Sequence, residues 1–238
     1  MTFREYMEQA AKDFGITLSA GQIAAYETYY QLLVAWNERM NLTAITQPEA
    51  VAVKHMVDSV SCWQPDIFFP DCKVIDVGTG AGFPGLPLKI FQPEIRLTLL
   101  DSLNKRVKFL QCVAETLQLS ATEVIHARAE EAARQKKYRE VYDIAVSRAV
   151  ARLPVLCEYC LPYVKQGGWF IALKGMQYQE ESEESVRAIA LLGGKIEKIL
   201  PVKLPGLEDK RAVIYIKKVS KTPGIYPRKA GTPEKNPL

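Results

Sequence analysis

Apolar residues recur with the 3.6-residue period of a helix through the N-terminal part of the chain. Ser19 and Gln22 match a helix-capping box, which predicts a helix start at this point. Thr46, followed by Pro48 in the first turn, predicts the start of a second helix. The apolar positions are Ile23, Tyr26, Tyr30, Leu33 and Val34 in the first helix and Val53, Met56, Val57 and Val60 in the second. Residues 1–66 are therefore predicted to form a helical region that packs on the rest of the chain.

After Trp63 the pattern changes to short apolar segments that alternate with amphipathic ones. The apolar segments have the length of strands, and the amphipathic segments have the period of helices. Seven strands are predicted, at Lys73–Val77, Arg96–Asp101, Val124–Ala127, Tyr142–Ser147, Trp169–Lys174, Lys195–Pro201 and Ala212–Lys217. Helices are predicted between most of them, at Pro84–Phe91, Leu103–Gln118, Ala129–Lys137, Leu153–Val164 and Tyr178–Leu192. This alternation predicts an α/β fold with a mostly parallel sheet that helices cover on both faces.

The last two predicted strands are joined by a short link that contains Pro205 and Gly206. Because this link has no room for a crossover helix, the two strands are expected to pair antiparallel. A seven-stranded, mostly parallel sheet with an antiparallel last strand is the layout of Rossmann-like class I methyltransferases, whereas dehydrogenases of this type have six strands. We therefore assign residues 67–219 to such a catalytic domain and residues 220–238 to a C-terminal tail.

The composition places the chain among ordinary globular proteins, with 48% hydrophobic and 24% charged residues. No uncharged apolar run approaches the roughly 18 residues that a membrane span needs. The charged residues at the N-terminus, such as Arg4 and Glu5, are untypical of a signal peptide. Five cysteines at irregular spacings favour reduced thiols over disulfides. We therefore expect a cytoplasmic protein without membrane association.

The positive charge is concentrated at the C-terminus. The overall net charge is +4, but residues 217–238 contain six Lys or Arg and only one acidic residue, Glu234. A basic segment with several prolines favours a polyanionic partner over an acidic small molecule. A solvated tail that keeps the protein soluble remains the alternative on charge alone.

Three glycines at alternate positions, Gly78, Gly80 and Gly82, follow the first predicted strand. Glycine allows a positive φ and lets the backbone approach a ligand without a Cβ in the way. Pro84 then predicts the start of a helix, and the N-terminus of a helix offers free N–H donors. Because doubly wound sheets bind their ligands at this edge, the turn is predicted to be a ligand site.

The spacing within the turn distinguishes between its possible ligands. A dinucleotide-binding turn would need its third glycine at position 83, where the chain has Phe83, and the phosphate-loop pattern is absent. Asp76 and the three glycines match Asp-x-Gly-x-Gly-x-Gly, the pattern of methyltransferases that bind S-adenosylmethionine (SAM). Asp101 ends the second predicted strand, where a carboxylate can accept hydrogen bonds from ribose hydroxyls. We therefore predict SAM as the cofactor and disfavour a nicotinamide dehydrogenase.

The segment Ser147–Ala149, at the end of the fourth predicted strand, helps to exclude some classes of nucleic acid methyltransferase. It lacks the Asp/Asn-Pro-Pro-aromatic motif of adenine-N6 and cytosine-N4 methyltransferases. Cys157 and Cys160 lie within the next predicted helix, so we predict core thiols rather than a nucleophile for cytosine C5. A single C-x-x-C with only two histidines in the chain is insufficient for zinc, and we expect no metal site.

Several short motifs resemble those of one family along almost the whole chain. The most specific are Gly82–Gly85, Ser147–Ala149 and Tyr226–Lys229. In these motifs the chain resembles the bacterial glucose-inhibited division protein B group (GidB, or RsmG), whose members are guanine-N7 methyltransferases of 16S ribosomal RNA. The resemblance implies SAM-dependent N7 methylation of a guanine in the decoding region. Further matching segments are Asn41–Thr43, His55–Ser59, Leu100–Ser102, Lys105-Arg106, Ala129-Glu130, Gly167-Gly168, Lys174-Gly175, Pro233 and Pro237-Leu238.

The resemblance also implies roles for individual residues. Arg148 is expected near the amino-acid end of the donor and the incoming base, as a positioning residue. Ala129 and Glu130 are expected near the adenine, although Glu130 is equally explained as a first-turn carboxylate that the helix dipole favours. The expected donor site is Gly78, Thr79, Gly80, Gly82, Phe83, Asp101, Ala129, Glu130 and Arg148. Charge and position, and not the resemblance, make the basic residues after Asp101 and those of the C-terminal tail candidates for phosphate contacts, although a solvated helix face explains Lys105 and Arg106 equally well. The expected RNA contacts are Lys105, Arg106, Lys174, Arg228 and Lys229.

Guanine N7 carries a free in-plane lone pair, so no proton has to leave before it attacks a methyl carbon. We therefore expect catalysis by positioning and name no general base. His55 and Asp58, on one helix face, are explained either as a hydrogen-bonded cap that docks this helix or as contacts to the substrate base. We expect a monomer that acts on 16S rRNA, free or in small-subunit particles. A small-molecule methyltransferase and a non-catalytic RNA-binding module remain as alternatives.

Overall fold

A computed structural model of the chain describes all 238 residues and contains one seven-stranded sheet. Its strands are β1 Lys73–Val77, β2 Arg96–Asp101, β3 Thr122–His126, β4 Tyr142–Arg148, β5 Val164–Lys174, β6 Gly194–Pro201 and β7 Ala212–Lys218. The strand order is β3-β2-β1-β4-β5-β7-β6. Strands β1 to β5 pair in parallel, whereas β7 is antiparallel to both of its neighbours. This confirms the predicted fold class, including the antiparallel pairing of the last two strands.

Helices precede the sheet and connect most of its strands, in the order that the sequence pattern predicts. They are α1 Phe3–Phe14, α2 Ala20–Met40, α3 Pro48–Val51, α4 Asp58–Val60, α5 Gly85–Phe91, α6 Asn104–Thr116, α7 Ala129–Ala132, α8 Leu153–Cys160, α9 Tyr178–Glu184, α10 Val186–Leu191 and α11 Thr232–Lys235. A 3₁₀ turn over Leu161–Tyr163 follows α8. The predicted capping box of Ser19 and Gln22 starts α2, with both reciprocal hydrogen bonds present.

Three helices differ from the prediction in length. The helix predicted over 153–164 ends at Cys160, and the 3₁₀ turn and the start of β5 follow it. The helix predicted over 129–137 ends after one turn, at Ala132. The helix predicted over 178–192 is divided at Ser185, whose Oγ donates to the backbone oxygen of Glu181 at 2.6 Å. A hydroxyl that bonds back to the preceding turn competes with the helical hydrogen bonds, which accounts for a break at this residue.

The predicted second helix contains an irregular segment between α3 and α4. The backbone is π-helical over Ala52–Val57, a rare geometry that is frequent at functional sites. His55 lies in this segment and Asp58 follows it directly, and both side chains contact Arg148 at the end of β4. The irregular segment thus brings the N-terminal region to the edge of the sheet where the glycine turn lies.

The core consists of two hydrophobic clusters on opposite faces of the sheet. Alternate residues of β7 show this division, since Val213 belongs to one cluster and Ile214 to the other. Tyr26 and Leu33 of α2 pack in the first cluster, and Leu156 of α8 packs in the second. The N-terminal helices therefore cover one face of the sheet and share its core.

The C-terminal residues 220–238 pack along the molecule. Arg134 Nη2 donates to the backbone oxygen of Pro227 at 2.6 Å, and Arg139 Nη1 donates to that of Tyr226 at 2.8 Å. Helix α11, near the end of this segment, contacts α8. The backbone of the tail is therefore held to the rest of the chain by Arg134 and Arg139, while several of its charged side chains remain exposed.

Candidate active site

The turn after β1 has the backbone that its glycines predict. Gly78, Gly80 and Gly82 have φ values of 72°, 62° and 101°, in the left-handed region that favours glycine. A Cβ on Gly78 would lie 2.7 Å from Val150 Cγ2, and one on Gly82 would lie 2.7 Å from the hydroxyl oxygen of Tyr29. A Cβ on Gly80 would meet no atom within 4 Å, since this residue borders an open cavity. Packing therefore requires two of the glycines, and the third leaves room for a ligand.

Asp76, near the end of β1, stabilises the turn by accepting hydrogen bonds from it. Its Oδ2 accepts hydrogen bonds from Thr79 Oγ1 at 2.6 Å and from Gly85 N at 2.7 Å, while Oδ1 has no partner. Complete burial raises the pKa of Asp76 to about 7, against the lowering effect of these two hydrogen bonds. Asp76 thus joins the two ends of the turn, a role that the motif alone did not reveal.

Asp101 connects the end of β2 to the same turn. Its Oδ2 accepts a hydrogen bond from Gly80 N at 2.9 Å, and its Oδ1 accepts one from Leu103 N at 2.8 Å. Arg106 Nη1 lies 3.5 Å from Oδ2, which places this arginine at the cavity rather than on a separate outer surface. The buried carboxylate borders the cavity, at the position where an acid can bind ribose hydroxyls.

A cavity of about 470 Å³, which we call the donor cavity, lies between the turn and the ends of β2, β3 and β4. This volume is within the range of sites for small organic ligands. Gly82 does not border it, because this residue packs against Tyr29 and Leu86. The other expected donor-site residues all border it, namely Gly78, Thr79, Gly80, Phe83, Asp101, Ala129, Glu130 and Arg148. The open space at Gly80 and the carboxylate of Asp101 therefore fit a nucleoside with a polar tail.

The C-terminal segment forms part of the wall of the donor cavity. Glu130 Oε1 accepts a hydrogen bond from Gly231 N at 2.9 Å, and the Glu130 side chain is buried. Glu234 and Tyr159 border the cavity nearby. The carboxylate of Glu130 is therefore held by the C-terminal backbone in addition to lying in the first turn of α7, a contact that spacing and charge could not predict.

Arg148, at the end of β4, makes several polar contacts with the π-helical segment and its neighbours. Its Nη1 donates to the backbone oxygen of Lys54 at 2.8 Å and to Asp58 Oδ2 at 2.7 Å, and its Nη2 lies 3.3 Å from His55 Nδ1. Its guanidinium carbon lies 5.0 Å from the centre of the Phe83 ring, within cation–π distance. Arg148 therefore joins β4 to the N-terminal region at the border of the donor cavity.

His55 and Asp58 are both engaged by other side chains. Asp58 accepts from Arg148 through Oδ2 and from Arg211 Nη1 through Oδ1, at 2.9 Å, while His55 Nε2 lies 2.9 Å from Thr43 Oγ1. Burial, and then the positive charge of Arg148, lower the pKa of His55 to about 4, so the ring is neutral near pH 7. These contacts support the docking interpretation, and His55 also borders the donor cavity.

Two of the residues expected to contact RNA are paired inside the protein. Lys174 Nζ lies 2.6 Å from Glu181 Oε2, and its side chain is only 8% exposed. Arg228 donates to both carboxylate oxygens of Glu158. Neither cation is free to meet a phosphate in this arrangement, which corrects the expectation from charge alone. The exposed members of the expected set are Lys105 and Lys229.

Cys157 and Cys160 are core thiols, as predicted. Both are completely buried, and burial raises the pKa of each thiol far above its ordinary value, so neither is a ready nucleophile. No three His, Cys, Asp or Glu side chains come together in a way that could ligate a metal ion. None of the helices combines the length and the apolar character needed to cross a bilayer.

Comparison with known proteins finds relatives over the full length of the chain. The family model GidB, described as rRNA small subunit methyltransferase G, matches residues 22–211. A ribosomal RNA small subunit methyltransferase G from Acetivibrio thermocellus is 52% identical over 238 residues, which cover 100% of this chain and 98% of the relative. Its counterpart from Desulforamulus reducens is 49% identical over 232 residues, which cover 98% of this chain and 97% of the relative.

Solved structures share the architecture at much lower identity. Geranyl diphosphate C-methyltransferase from Streptomyces coelicolor, crystallised with Mg²⁺, geranyl diphosphate and S-adenosyl-L-homocysteine, aligns with a TM-score of 0.53 and 13% identity. The alignment covers 80% of this chain and 98% of that one, and it shows a common fold alone. The family model and the full-length identities decide the assignment: the chain belongs to the GidB family, the rRNA small subunit methyltransferases G.

Proposed function

We propose that this chain transfers a methyl group from SAM to N7 of a guanine in the decoding region of 16S rRNA. The observation that carries the proposal is the donor cavity, in which Gly80, Asp101 and Arg148 border one space in a member of this family. The fold and the motif support the donor, and the family supports the RNA. The particular guanine follows from the family resemblance.

The residues of the donor cavity have complementary roles in this proposal. SAM supplies, when bound, a methyl group on a positively charged sulfur. Gly80 leaves room for the donor, Asp101 offers carboxylate oxygens to the ribose hydroxyls, and Ala129 and Glu130 border the part of the cavity that we propose for the adenine. Arg148 forms an ion pair with Asp58 and thereby fixes the border of the donor cavity next to the N-terminal region.

The side chains at that border suit an acceptor that needs no proton removal. His55 has a pKa of about 4 and is therefore a weak base, and both oxygens of Asp58 are bound by arginines. Guanine N7 needs no base, because its lone pair is already free. The contribution left to the protein is to hold N7 and the methyl group in line, and positioning of this kind contributes up to about 7–11 kcal/mol.

The proposal also includes the contacts with RNA, the oligomeric state of the enzyme and the cellular compartment of the reaction. Lys105 and Lys229 are exposed cations that can meet phosphates, and their contribution to affinity would fall as salt is added. We propose that the enzyme works as a monomer in the cytoplasm, without a metal ion, on RNA that is free or part of a small-subunit particle.

Mass spectrometry of nucleosides from small-subunit rRNA tests the proposal directly. The measurement compares cells with the protein, cells without it, and cells without it that receive either the wild-type chain or the Arg148→Ala variant. We expect one 7-methylguanosine to disappear with the protein and to return only with the wild-type chain. An unchanged 7-methylguanosine content in cells that lack the protein would overturn the proposed reaction.

A further inference from the structure

A second cavity, of about 340 Å³, opens at the same edge of the sheet as the donor cavity. This edge is formed here by the ends of β4 and β5 and by the start of the antiparallel β7. Three residues, His55, Arg148 and Ala149, border both cavities. A group held in the second cavity therefore lies directly beside the donor cavity.

One part of the wall of the second cavity is aliphatic. Ile45, Leu173, Val202 and Val213 form this part, and no Phe, Tyr or Trp borders the cavity. Aliphatic side chains stabilise the faces of a planar ring by removing them from water and by dispersion contacts. The volume is near the lower end of the range for ligand sites, which suits a single nucleoside rather than a helical segment of RNA.

The polar residues of the second cavity carry an excess of positive charge. Asp58 lies between Arg148 and Arg211 with one oxygen towards each, and Arg211 Nη2 also lies 3.4 Å from Asp209 Oδ2, so these four groups are together neutral. Lys174 is neutralised by its buried ion pair with a glutamate. Lys54 is half-buried at the cavity, forms no ion pair and supplies the excess positive charge. An aliphatic wall beside excess positive charge fits a nucleotide, which joins a planar base to an anionic phosphodiester.

We propose that the second cavity receives the target guanosine, flipped out of the RNA strand, with its base against the aliphatic wall and its phosphodiester at Lys54. This assignment rests on the proposed function. N7 lies on the major-groove edge of guanine, and the major groove of an RNA helix is too deep and narrow for side chains to enter. Flipping the nucleotide into the second cavity allows this edge to face the border shared with the donor cavity. Arg211 is then a positioning residue, because it holds Asp58 and through it Arg148.

Gly175 offers a way to fill the second cavity without disturbing the donor cavity. It borders only the second cavity, its φ lies outside the left-handed region, and an added Cβ would meet no atom within 4 Å. We expect Gly175→Leu to lower kcat/KM for small-subunit RNA by about 100-fold, because the base can no longer reach its place, with the affinity for SAM unchanged. Gly21→Leu is the matched control, since its Cβ would meet only Ser19 Oγ, at 3.9 Å, on an exposed part of α2.

Lys54→Met tests the phosphate contact by binding alone, without turnover. Affinity for small-subunit RNA is measured over a series of salt concentrations in the absence of SAM. We expect the variant to bind more weakly, with the slope of log K against log salt reduced by about one, as for the loss of one phosphate contact. Lys203→Met removes an exposed lysine that borders neither of the two cavities and should leave the slope unchanged.

The outcomes separate this assignment from the proposed function. If the wild-type chain methylates small-subunit RNA while Gly175→Leu and Lys54→Met behave as wild type, the second cavity does not hold the target and only the present assignment is overturned. If the wild-type chain methylates no RNA, the proposed function fails as well. Loss of SAM affinity in Gly175→Leu would also overturn the assignment, because the second cavity would then belong to the donor site.

Discussion

Arg228 and Glu158 form a bidentate ion pair, with Arg228 Nε 3.0 Å from Glu158 Oε1 and Nη2 2.6 Å from Oε2. Glu158 lies in α8 and its side chain is only 1% exposed. The pair therefore joins the C-terminal segment to a helix that covers one face of the sheet. Because the same segment contacts Glu130 at the donor cavity through Gly231, its docking and the binding of the donor should be linked.

The variant Arg228→Met is expected to destabilise the protein and to weaken SAM binding. It would leave the Glu158 carboxylate buried without its cation, a change that costs about 3 kcal/mol in comparable sites. The free energy of unfolding is measured in urea, and the SAM affinity is measured by calorimetric titration.

Lys229→Met is the control for this variant, since Lys229 is exposed and next in sequence. We expect it to retain the stability and the SAM affinity of the wild type. The docking role of Arg228 would be contradicted if Arg228→Met kept both of these quantities and changed only the salt dependence of RNA binding.

The variant Arg148→Ala is expected to fold and to lose turnover. Asp58 keeps Arg211 as its cation, so no carboxylate is left buried without a partner. The border of the donor cavity loses its connection to the π-helical segment, and misplacement by about 1 Å is enough to lower turnover by about 100-fold. Transfer of labelled methyl groups to small-subunit RNA measures turnover, and circular dichroism reports on the fold. Wild-type turnover in a folded Arg148→Ala variant would rule out the positioning role.

Alanine substitutions at Gly80 and Gly82 should have different effects. Both residues have a positive φ, so each substitution costs about 1 kcal/mol in backbone strain. A Cβ at position 82 would in addition overlap with Leu86 Cδ1, whereas one at position 80 would project into open space. Gly82→Ala is therefore expected to lose more stability, and Gly80→Ala to lose SAM affinity with a smaller change in stability. Urea unfolding measures the stability of both variants, and titration measures their SAM affinity. Equal stability of the two variants would contradict the packing argument.

The fold and the donor cavity were predictable because their signals are local in sequence. Seven short strands are mostly separated by amphipathic helices, and the glycines of the turn lie within five positions of one another, next to the strand that presents them. Each such pattern requires only the geometry of one element and its immediate neighbours. Most predicted strand boundaries lie within two residues of those observed, and only β5 begins five residues earlier than expected, at Val164.

The ion pairs were not predictable, because their partners are distant in sequence. Arg228 and Glu158 are 70 residues apart, and Arg211 and Asp58 are 153 residues apart. Charge counting treats each cation as free, so Arg228 was expected to face RNA although it pairs within the protein. Lys54 and Arg211 were missed at the candidate site for a related reason, since neither belongs to a motif and only the folded sheet brings them beside Arg148.

Asp76 should make the stability of the protein depend on pH. Its pKa is about 7 in the folded protein compared with an ordinary value of 3.8, so the folded state binds a proton more tightly than the unfolded chain. The contribution of Asp76 to stability is therefore present at low pH and falls as the pH rises from about 4 to about 7. His55 contributes in the opposite direction, because its folded pKa of about 4 lies below the ordinary value of 6.5. A variant that lacks the carboxyl group of Asp76 but retains His55 is therefore needed to separate the two contributions to the pH dependence of stability.

The variant Asp76→Asn meets this requirement, since its amide oxygen can accept the hydrogen bonds of Thr79 and Gly85 without ionising. The free energies of unfolding of both proteins are measured in urea at several pH values between about 4 and about 8. We expect the wild type to lose stability relative to the variant as the pH rises, because only the wild type must ionise a carboxyl group within the core. A difference that stays constant over the whole range would mean that Asp76 is already ionised at the lowest pH, and that the hydrogen bonds from Thr79 and Gly85 outweigh its burial.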